Sequence, residues 1–137
     1  MQARFISLAL VLLTLLFTVS AFADPGAAEK AGRDWLVLVD GGKFTESHDA
    51  SGKLFRDAVK RDQWAEQLKG VRTPLGKLTA RKLKSATPAK ALPGAPDGDY
   101  VVMTFDASFE NKKEAVETLT VSKEADGKYR VVGYFIR

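Results

Sequence analysis

The stretch that decides the fold is YVVMTFDASF, residues 100–109. Its apolar side chains occupy every second position, at Val101, Met103, Phe105, Ala107 and Phe109. Because successive side chains of a β-strand point to opposite faces of a sheet, this alternation predicts a strand with one buried face. Residues 115–122 and 129–136 alternate similarly, and a typical hairpin turn, Asp126-Gly127, separates them. With residues 75–83 as a further candidate strand, the C-terminal half is predicted to form an antiparallel meander.

The N-terminal half of the chain has helical periodicity instead. Apolar residues recur at spacings of three and four within residues 27–39, 47–59 and 62–69, which predicts three amphipathic helices. Helices first and a meander afterwards indicate an α+β fold, with about three N-terminal helices packed on a curved antiparallel sheet of about four strands. A cone of the NTF2-like or cystatin-like kind has this inventory.

One long connection, residues 85–99, separates the first two predicted strands. It contains the backbone-restricting or turn-forming residues Pro88, Pro93, Gly94, Pro96 and Gly98. Connections of this length are typically functional or mobile. Since proline restricts φ and favours extended backbone, we expect an ordered rim here.

The first 23 residues have the three parts of an export signal. Arg4 supplies the positive charge, residues 5–19 are mostly apolar, and Ala21 and Ala23 form the small-residue pattern that signal peptidase recognises. The alternative is an uncleaved anchor, since the 19 uncharged residues from 5 to 23 are borderline for crossing a bilayer. We expect cleavage after Ala23, which leaves a single domain of residues 24–137 in the periplasm or the medium.

Composition excludes several kinds of site. The chain has no cysteine, which excludes thiol catalysis, disulfides and zinc–thiolate sites, and its one histidine excludes a multi-histidine metal site within one chain. Residues 1–23 hold one of the 21 basic residues and none of the 17 acidic ones, so the predicted mature domain has a net charge of only +3. This charge does not by itself indicate nucleic-acid binding. No phosphate loop, dinucleotide motif, HExxH or calcium loop is present, and we predict no metal and no cofactor.

Several short motifs occur together across residues 35–137. They are Trp64-x3-Leu68-x3-Arg72-x-Pro74-Leu75-Gly76, Arg81, Leu92-Pro93-Gly94-x-Pro96-Asp97-Gly98-x-Tyr100-Val101-Val102, Phe109-x-Asn111-Lys112, Ala115-Val116-Glu117-Thr118 and Arg130-Val131-x-Gly133-Tyr134-Phe135. In this combination the chain resembles one protein family, DUF4019, whose members are small bacterial exported proteins of uncharacterised function. The resemblance implies an NTF2-like fold and brings no established catalytic residues.

Glu117 is the one weak candidate for a catalytic residue. Alternation places it on the same face as the apolar Ala115, Leu119 and Val121, where a carboxylate needs a partner. Three interpretations are open. Glu117 forms an ion pair that ties the sheet to a helix, it is an acid with a raised pKa in a pocket, as in some NTF2-like proteins, or it is an exposed strand residue. The candidate partners are Arg72, Arg81 and Arg130.

Other candidate residues are aromatic or titratable. His48 is predicted to be a solvated residue in the first turn of the second helix, and its neighbours Ser47 and Asp49 do not form a triad with it, because adjacent residues of a helix point in different directions. Aromatic residues at helical or alternating positions are typical of a core, with stacking on a ligand as the alternative. The candidate ligand-binding set is Trp35, Trp64, Arg72, Tyr100, Glu117 and Tyr134.

Residues 69–96 hold seven basic residues and no acidic one. One interpretation is a solvated sheet edge, since lysine protects edge strands from pairing. Another is a weak attraction to an anionic envelope surface. Nucleic acid is not expected as a partner of an exported protein, and the run contains no aromatic residue for base stacking. The predicted basic surface comprises Lys77, Arg81, Lys82 and Lys84.

The leading functional hypothesis is a non-catalytic exported module that binds a small molecule or an envelope protein, as a monomer or a homodimer. The alternative is an NTF2-like isomerase, lyase or hydrolase that acts on a small molecule through Glu117. A third reading is a structural protein that dimerises through its sheet.

Overall fold

The computed structural model describes residues 23–137. The predicted signal peptide, residues 1–23, lies outside the described residues except for Ala23. No helix in the described part is both long and apolar enough to span a membrane. Four helices come first and four strands follow, at α1 (Pro25–Asp40), α2 (Phe44–Asp49), α3 (Lys53–Ala58), α4 (Arg61–Leu75), β1 (Leu78–Ala89), β2 (Tyr100–Phe109), β3 (Lys112–Lys123) and β4 (Tyr129–Ile136).

The four strands form one antiparallel sheet in the order β1-β2-β3-β4, so each strand pairs with its neighbour in sequence. The predicted turn between β3 and β4 is closed by a hydrogen bond from the Glu124 N–H to the Lys128 carbonyl at 2.9 Å. Gly127 in this turn has a φ of 81°, in the left-handed region that favours glycine. The α+β fold with N-terminal helices and a four-stranded antiparallel sheet is therefore confirmed.

Helix α1 covers the inner face of the sheet. It begins at Pro25, after the N-cap Asp24. An added Cβ at Gly32 would lie 2.7 Å from Leu119 Cδ2 and 2.9 Å from Met103 Cε, so the helix and the sheet approach each other closely here. The residues that α1 buries are Ala28, Gly32, Trp35, Leu36 and Val39.

Ser47 on α2 joins the two tryptophans of the core. Its backbone carbonyl accepts a hydrogen bond from Trp35 Nε1 at 2.8 Å, and its Oγ accepts one from Trp64 Nε1 at 3.0 Å. The same Oγ donates to the Phe44 carbonyl at 2.6 Å. Ser47 is 0% exposed, so these bonds satisfy its hydroxyl without water. Ser47 therefore connects both indoles, although Trp35 Nε1 also donates to Ser51 Oγ at 3.1 Å.

The second predicted helix, residues 47–59, is in fact two short helices, so the described part has four helices and not three. The chain leaves the helix after Asp49, and Gly52 takes an extended conformation with φ −68° and ψ 156°. The Gly52 N–H donates to the Val131 carbonyl of β4 at 2.7 Å, and an added Cβ at Gly52 would lie 2.9 Å from Val132 Cγ1. This contact with the sheet interrupts the helix that helical spacing alone predicts to be continuous over residues 47–59.

Two further elements are longer than predicted. Helix α4 continues through Gly70 to Leu75, with Pro74 inside its last turn, and it ends at Gly76, which has a φ of 73°. Strand β1 continues past residue 83, through two register shifts, to residue 89. It accommodates Pro88 because it lies at the sheet edge. The predicted long connection shrinks accordingly to residues 90–99.

Ser47→Ala tests the role of the buried serine. The variant leaves the Trp64 indole N–H buried without an acceptor, and we expect it to lower the free energy of unfolding by about 1–3 kcal/mol. Urea unfolding followed by tryptophan fluorescence measures this loss. Adding Trp64→Phe removes the unsatisfied donor, so the double variant should lose less than the sum of the two single variants. Strictly additive losses would contradict the proposed bond.

Candidate functional site

The Glu117 carboxylate on β3 is fully buried, with 0% of its surface exposed. Its Oε1 accepts a hydrogen bond from Arg81 Nε at 2.6 Å, and its Oε2 accepts one from Arg81 Nη2 at 3.0 Å. The Tyr134 hydroxyl of β4 donates to the same Oε2. Glu117 therefore does form an ion pair, and of the three candidate arginines Arg81 is the partner. Arg81 is on β1, so this pair joins two strands of the sheet and does not directly tie the sheet to a helix as predicted.

Arg81 simultaneously binds a second carboxylate, that of Asp40 at the end of α1. Arg81 Nη1 donates to Asp40 Oδ2 at 2.7 Å, and Arg81 Nη2 donates to Asp40 Oδ1 at 3.0 Å. Arg72 Nη2, from α4, also donates to Asp40 Oδ1 at 2.8 Å. Two carboxylates and two guanidinium groups balance in charge. We call this set, drawn from five elements, the carboxylate network: Asp40, Arg72, Arg81, Glu117 and Tyr134.

The environment of the network fixes the charges of its members. Burial alone raises the pKa of Asp40, but hydrogen bonds from Arg81 and Arg72 outweigh it and hold the pKa below its usual range. Burial lowers the pKa of Arg81, and its bonds to Asp40 and Glu117 more than reverse the effect. Burial and the adjacent Glu117 carboxylate together raise the pKa of Tyr134 far above its usual range. At neutral pH Asp40 is thus ionised, Arg81 is charged and Tyr134 is a neutral donor.

Arg72 is held by an aromatic ring as well as by Asp40. Its Cζ lies 4.8 Å from the centroid of Phe109, a cation–π contact. The side chain is only 6% exposed, and its Nε and Nη1 have no hydrogen-bond acceptor within residues 23–137. Arg72 was predicted as a ligand-binding residue, and the structure places it inside the carboxylate network.

The remaining predicted ligand-binding residues lie in three different places. Tyr134 belongs to the network and contacts Trp35 edge-to-face at 5.2 Å between ring centroids. Trp35 and Trp64 are 3% and 8% exposed, as the core interpretation expects. Tyr100 is 2% exposed, and its hydroxyl donates to the Pro96 carbonyl at 2.6 Å, outside the network. The six residues therefore do not line one pocket.

Two residues predicted to lie at the surface are buried. Arg81 was assigned to the basic surface, but its side chain is only 9% exposed because it faces the inner side of the sheet; Lys77, Lys82 and Lys84 are exposed as predicted. His48 was predicted to be solvated, yet it is 6% exposed. Since α2 begins at Phe44, His48 lies in its last turn, 2.6 Å from the Val59 carbonyl through Nε2. A carbonyl only accepts, so Nε2 donates.

An apolar groove opens between α4 and β4, next to the network. Its volume is about 190 Å³. Val71 is 49% exposed and Phe135 is 56% exposed, so each presents apolar surface to solvent. We call this depression the α4–β4 groove. Its lining residues are Trp64, Gln67, Leu68, Val71, Tyr134, Phe135 and Ile136.

Sequence reasoning missed Asp40 and most of this groove. Asp40 is the last residue of α1, where the helix dipole disfavours a carboxylate, and this is a signal that it needs cationic partners. The groove has no comparable signal, because exposed single apolar residues such as Val71 are common. Within residues 23–137 no group of three or more acidic, histidine or cysteine side chains is arranged to hold a metal ion.

Comparisons with known proteins give one family and a set of similar folds. The family model described as "Protein of unknown function (DUF4019)" matches residues 31–134. No match is found among curated proteins. A 2.5 Å structure from Catenulispora acidiphila is similar, with a TM-score of 0.53 and 11% identity, over 82% of this chain and 88% of that one. At this identity the likeness concerns the fold alone.

Arg81→Met tests whether the network is the main polar support of the fold. It strands Glu117 as a buried charge, and we expect it to lower the free energy of unfolding by about 3–5 kcal/mol. Arg130→Met is the matched control, since Arg130 also binds two carboxylates but is 30% exposed. Chemical denaturation should show a much smaller loss for the control. Equal losses would refute the importance of the buried position.

Asp40→Asn tests the sign of the pKa shift. A carboxylate whose pKa is lowered by folding adds stability above its unfolded pKa of about 3.9 and loses that contribution as the pH falls through its folded pKa. The variant should therefore be less stable than the wild type at pH 7, with a difference that shrinks towards about pH 2. Urea unfolding across this range measures it. Asp34→Asn, in an exposed pair with Lys30, is the control and should show little difference at any pH.

Proposed function

The chain belongs to the DUF4019 family, and we propose that its domain is an exported, non-catalytic module that binds another molecule through its surface. The observation that carries the proposal is the contrast between two neighbouring features. The carboxylate network is closed, with both Glu117 oxygens bonded to Arg81 or Tyr134, whereas the α4–β4 groove is open and apolar. Exposed apolar surface that lines a groove is typical of an interaction site.

The closed state of Glu117 argues against the enzymatic alternative. A general base needs a lone pair within reach of the proton that it removes. Both Glu117 oxygens already accept hydrogen bonds, and the residue has no exposed surface. To act on a small molecule, Glu117 would have to leave Arg81 and Tyr134, at the cost of an unpaired buried charge. The groups around Glu117 therefore favour a structural role.

The proposal includes the cellular address and the type of fold. Export is supported by the charged start, the apolar stretch and the small residues before Asp24 in the sequence. An NTF2-like type of fold is supported by the order of helices and strands and by the open sheet. Lys77, Lys82 and Lys84 are exposed, which is compatible with a weak attraction to anionic envelope surfaces.

The experiment uses the full-length gene expressed in cells, with the protein recovered from the envelope fraction. We expect a chain that begins at Asp24 by mass spectrometry, a reproducible set of proteins captured by cross-linking, and no turnover of envelope metabolites. Glu117→Gln is the informative variant for catalysis. A turnover that this substitution abolishes, or a protein retained in the cytoplasm, would contradict the proposal.

A further inference from the structure

We infer that the α4–β4 groove receives an extended apolar segment of a partner protein, which adds to β4 as a fifth strand of the sheet. The inference rests on the proposed binding function and names the class of partner for it. Three independent features support it: the direction of the β4 backbone groups, the chemistry of the groove, and a difference between the two edges of the sheet.

The backbone of β4 presents hydrogen-bonding groups along its outer edge. Val116 of β3 and Arg137 exchange two hydrogen bonds, at 2.9 and 3.1 Å. In an antiparallel pair such bonded residues alternate with non-bonded ones. Phe135 therefore bonds to Thr118, and the N–H and C=O groups of Tyr134 and Ile136 point away from β3.

The chain itself uses this edge at its beginning and leaves it vacant further on. Near the start of β4, the Gly52 N–H donates to the outward carbonyl of Val131. Beyond that point, no backbone or side-chain group within residues 23–137 bonds to the outward groups of Tyr134 and Ile136. An extended polypeptide is the ligand that offers alternating donors and acceptors at this spacing, as in other cases of strand addition.

The groove beside this edge matches apolar side chains of such a strand. Its helix wall has Trp64 and Leu68, which are 8% and 3% exposed, and the more exposed Val71. No lining residue is charged, and the side-chain amide of Gln67 is the most polar group on the helix wall. The volume of about 190 Å³ is below the roughly 300–1,000 Å³ typical of small-molecule pockets. This size suits individual side chains of an extended segment.

The two edges of the sheet differ in their protection. The outer strand β1 carries Lys82, Lys84 and Pro88, residue types that prevent a further strand from pairing. On the other edge, residues 131–136 of β4 read VVGYFI and have neither a charged residue nor a proline, and the charged residues Arg130 and Arg137 lie only on either side of this run. Both β1 and β4 are outer strands of the sheet, but only β1 carries residues that prevent pairing. This difference indicates that a further strand pairs with β4.

Phe135 adds a second contact for the same occupant. Phe135 lines the groove along the strand edge, but its side chain is directed to the opposite face of the sheet from Tyr134, because successive side chains of a strand alternate. At 56% exposed it is a large apolar group on the uncovered face. A fifth strand beside β4 would place its alternate side chains against the groove on one face and against Phe135 on the other.

The test uses protein expressed from the full-length gene, in the processed form that the cell delivers, and a random decapeptide library displayed on phage. We expect selected peptides to be apolar at alternate positions. Hydrogen exchange measured by NMR should then show the Tyr134 and Ile136 amides slowed at least tenfold by the bound peptide. Peptides that bind without slowing these two amides would overturn strand addition.

Three substitutions locate the site. Val71→Asp puts a charge in the groove and should weaken peptide binding about tenfold or more. Val37→Asp is its matched control, since Val37 is an exposed valine, 67% accessible, on α1 outside the groove lining. Ile136→Pro removes an outward N–H that β3 does not use and should also weaken binding. Thermal melts of all three identify any loss of folding.

The outcomes separate this inference from the proposed function. Envelope proteins that are cross-linked by the wild type and by Val37→Asp, but not by Val71→Asp, support the groove as their site. Capture that is equal for all variants would overturn the inference and leave the binding function standing. If neither the wild type nor any variant captured an envelope protein, the proposed binding function itself would be wrong. A homodimer that Val71→Asp dissociates would also overturn the inference, since the occupant would then be a second copy.

Discussion

The described structure depends on a single guanidinium group that binds two carboxylates at once. Arg81 on β1 reaches Glu117 on β3 and Asp40 at the end of α1, with hydrogen bonds between 2.6 and 3.0 Å. A planar guanidinium suits this arrangement because its donors form a rigid fork, which a lysine ammonium lacks. Removal of Arg81 leaves the buried Glu117 carboxylate without its ion-pair partner. Because the same guanidinium also binds Asp40, α1 and the inner face of the sheet have to be in register with each other.

The sequence predicts the strands and the orientation of Glu117 well, since both follow from local alternation. Local alternation does not identify which arginine pairs with Glu117. Arg81 is 36 residues from Glu117, and the register of β1 includes two shifts that no short sequence pattern encodes. His48 was misplaced for a related reason. The break at Gly52 comes from a bond to β4, so helical spacing around His48 could not place the helix boundaries.

The α4–β4 groove was beyond prediction for another physical reason. Its walls come from two elements whose lining residues are at least 63 positions apart, from Val71 to Tyr134, and each exposed apolar side chain alone is common. What the sequence does contain is the unequal protection of the two sheet edges. The lysines and proline of β1 and the uncharged run of β4 can both be recognised in the sequence. They can be interpreted as edge protection and its absence only once the strand order shows that these two strands are the outer ones.

The carboxylate network and the α4–β4 groove share Tyr134. Through this residue the closed polar network fixes part of the wall of the open apolar groove. The Tyr134 hydroxyl donates to Glu117, which fixes the side chain on the inner face of the sheet. The same fixed side chain forms part of the groove lining. A buried ion pair adds little net stability compared with apolar packing, but it tolerates few alternative arrangements. The network therefore sets the position of β4 relative to α4, and because the groove walls are already held in place, only the extended segment has to be ordered on binding.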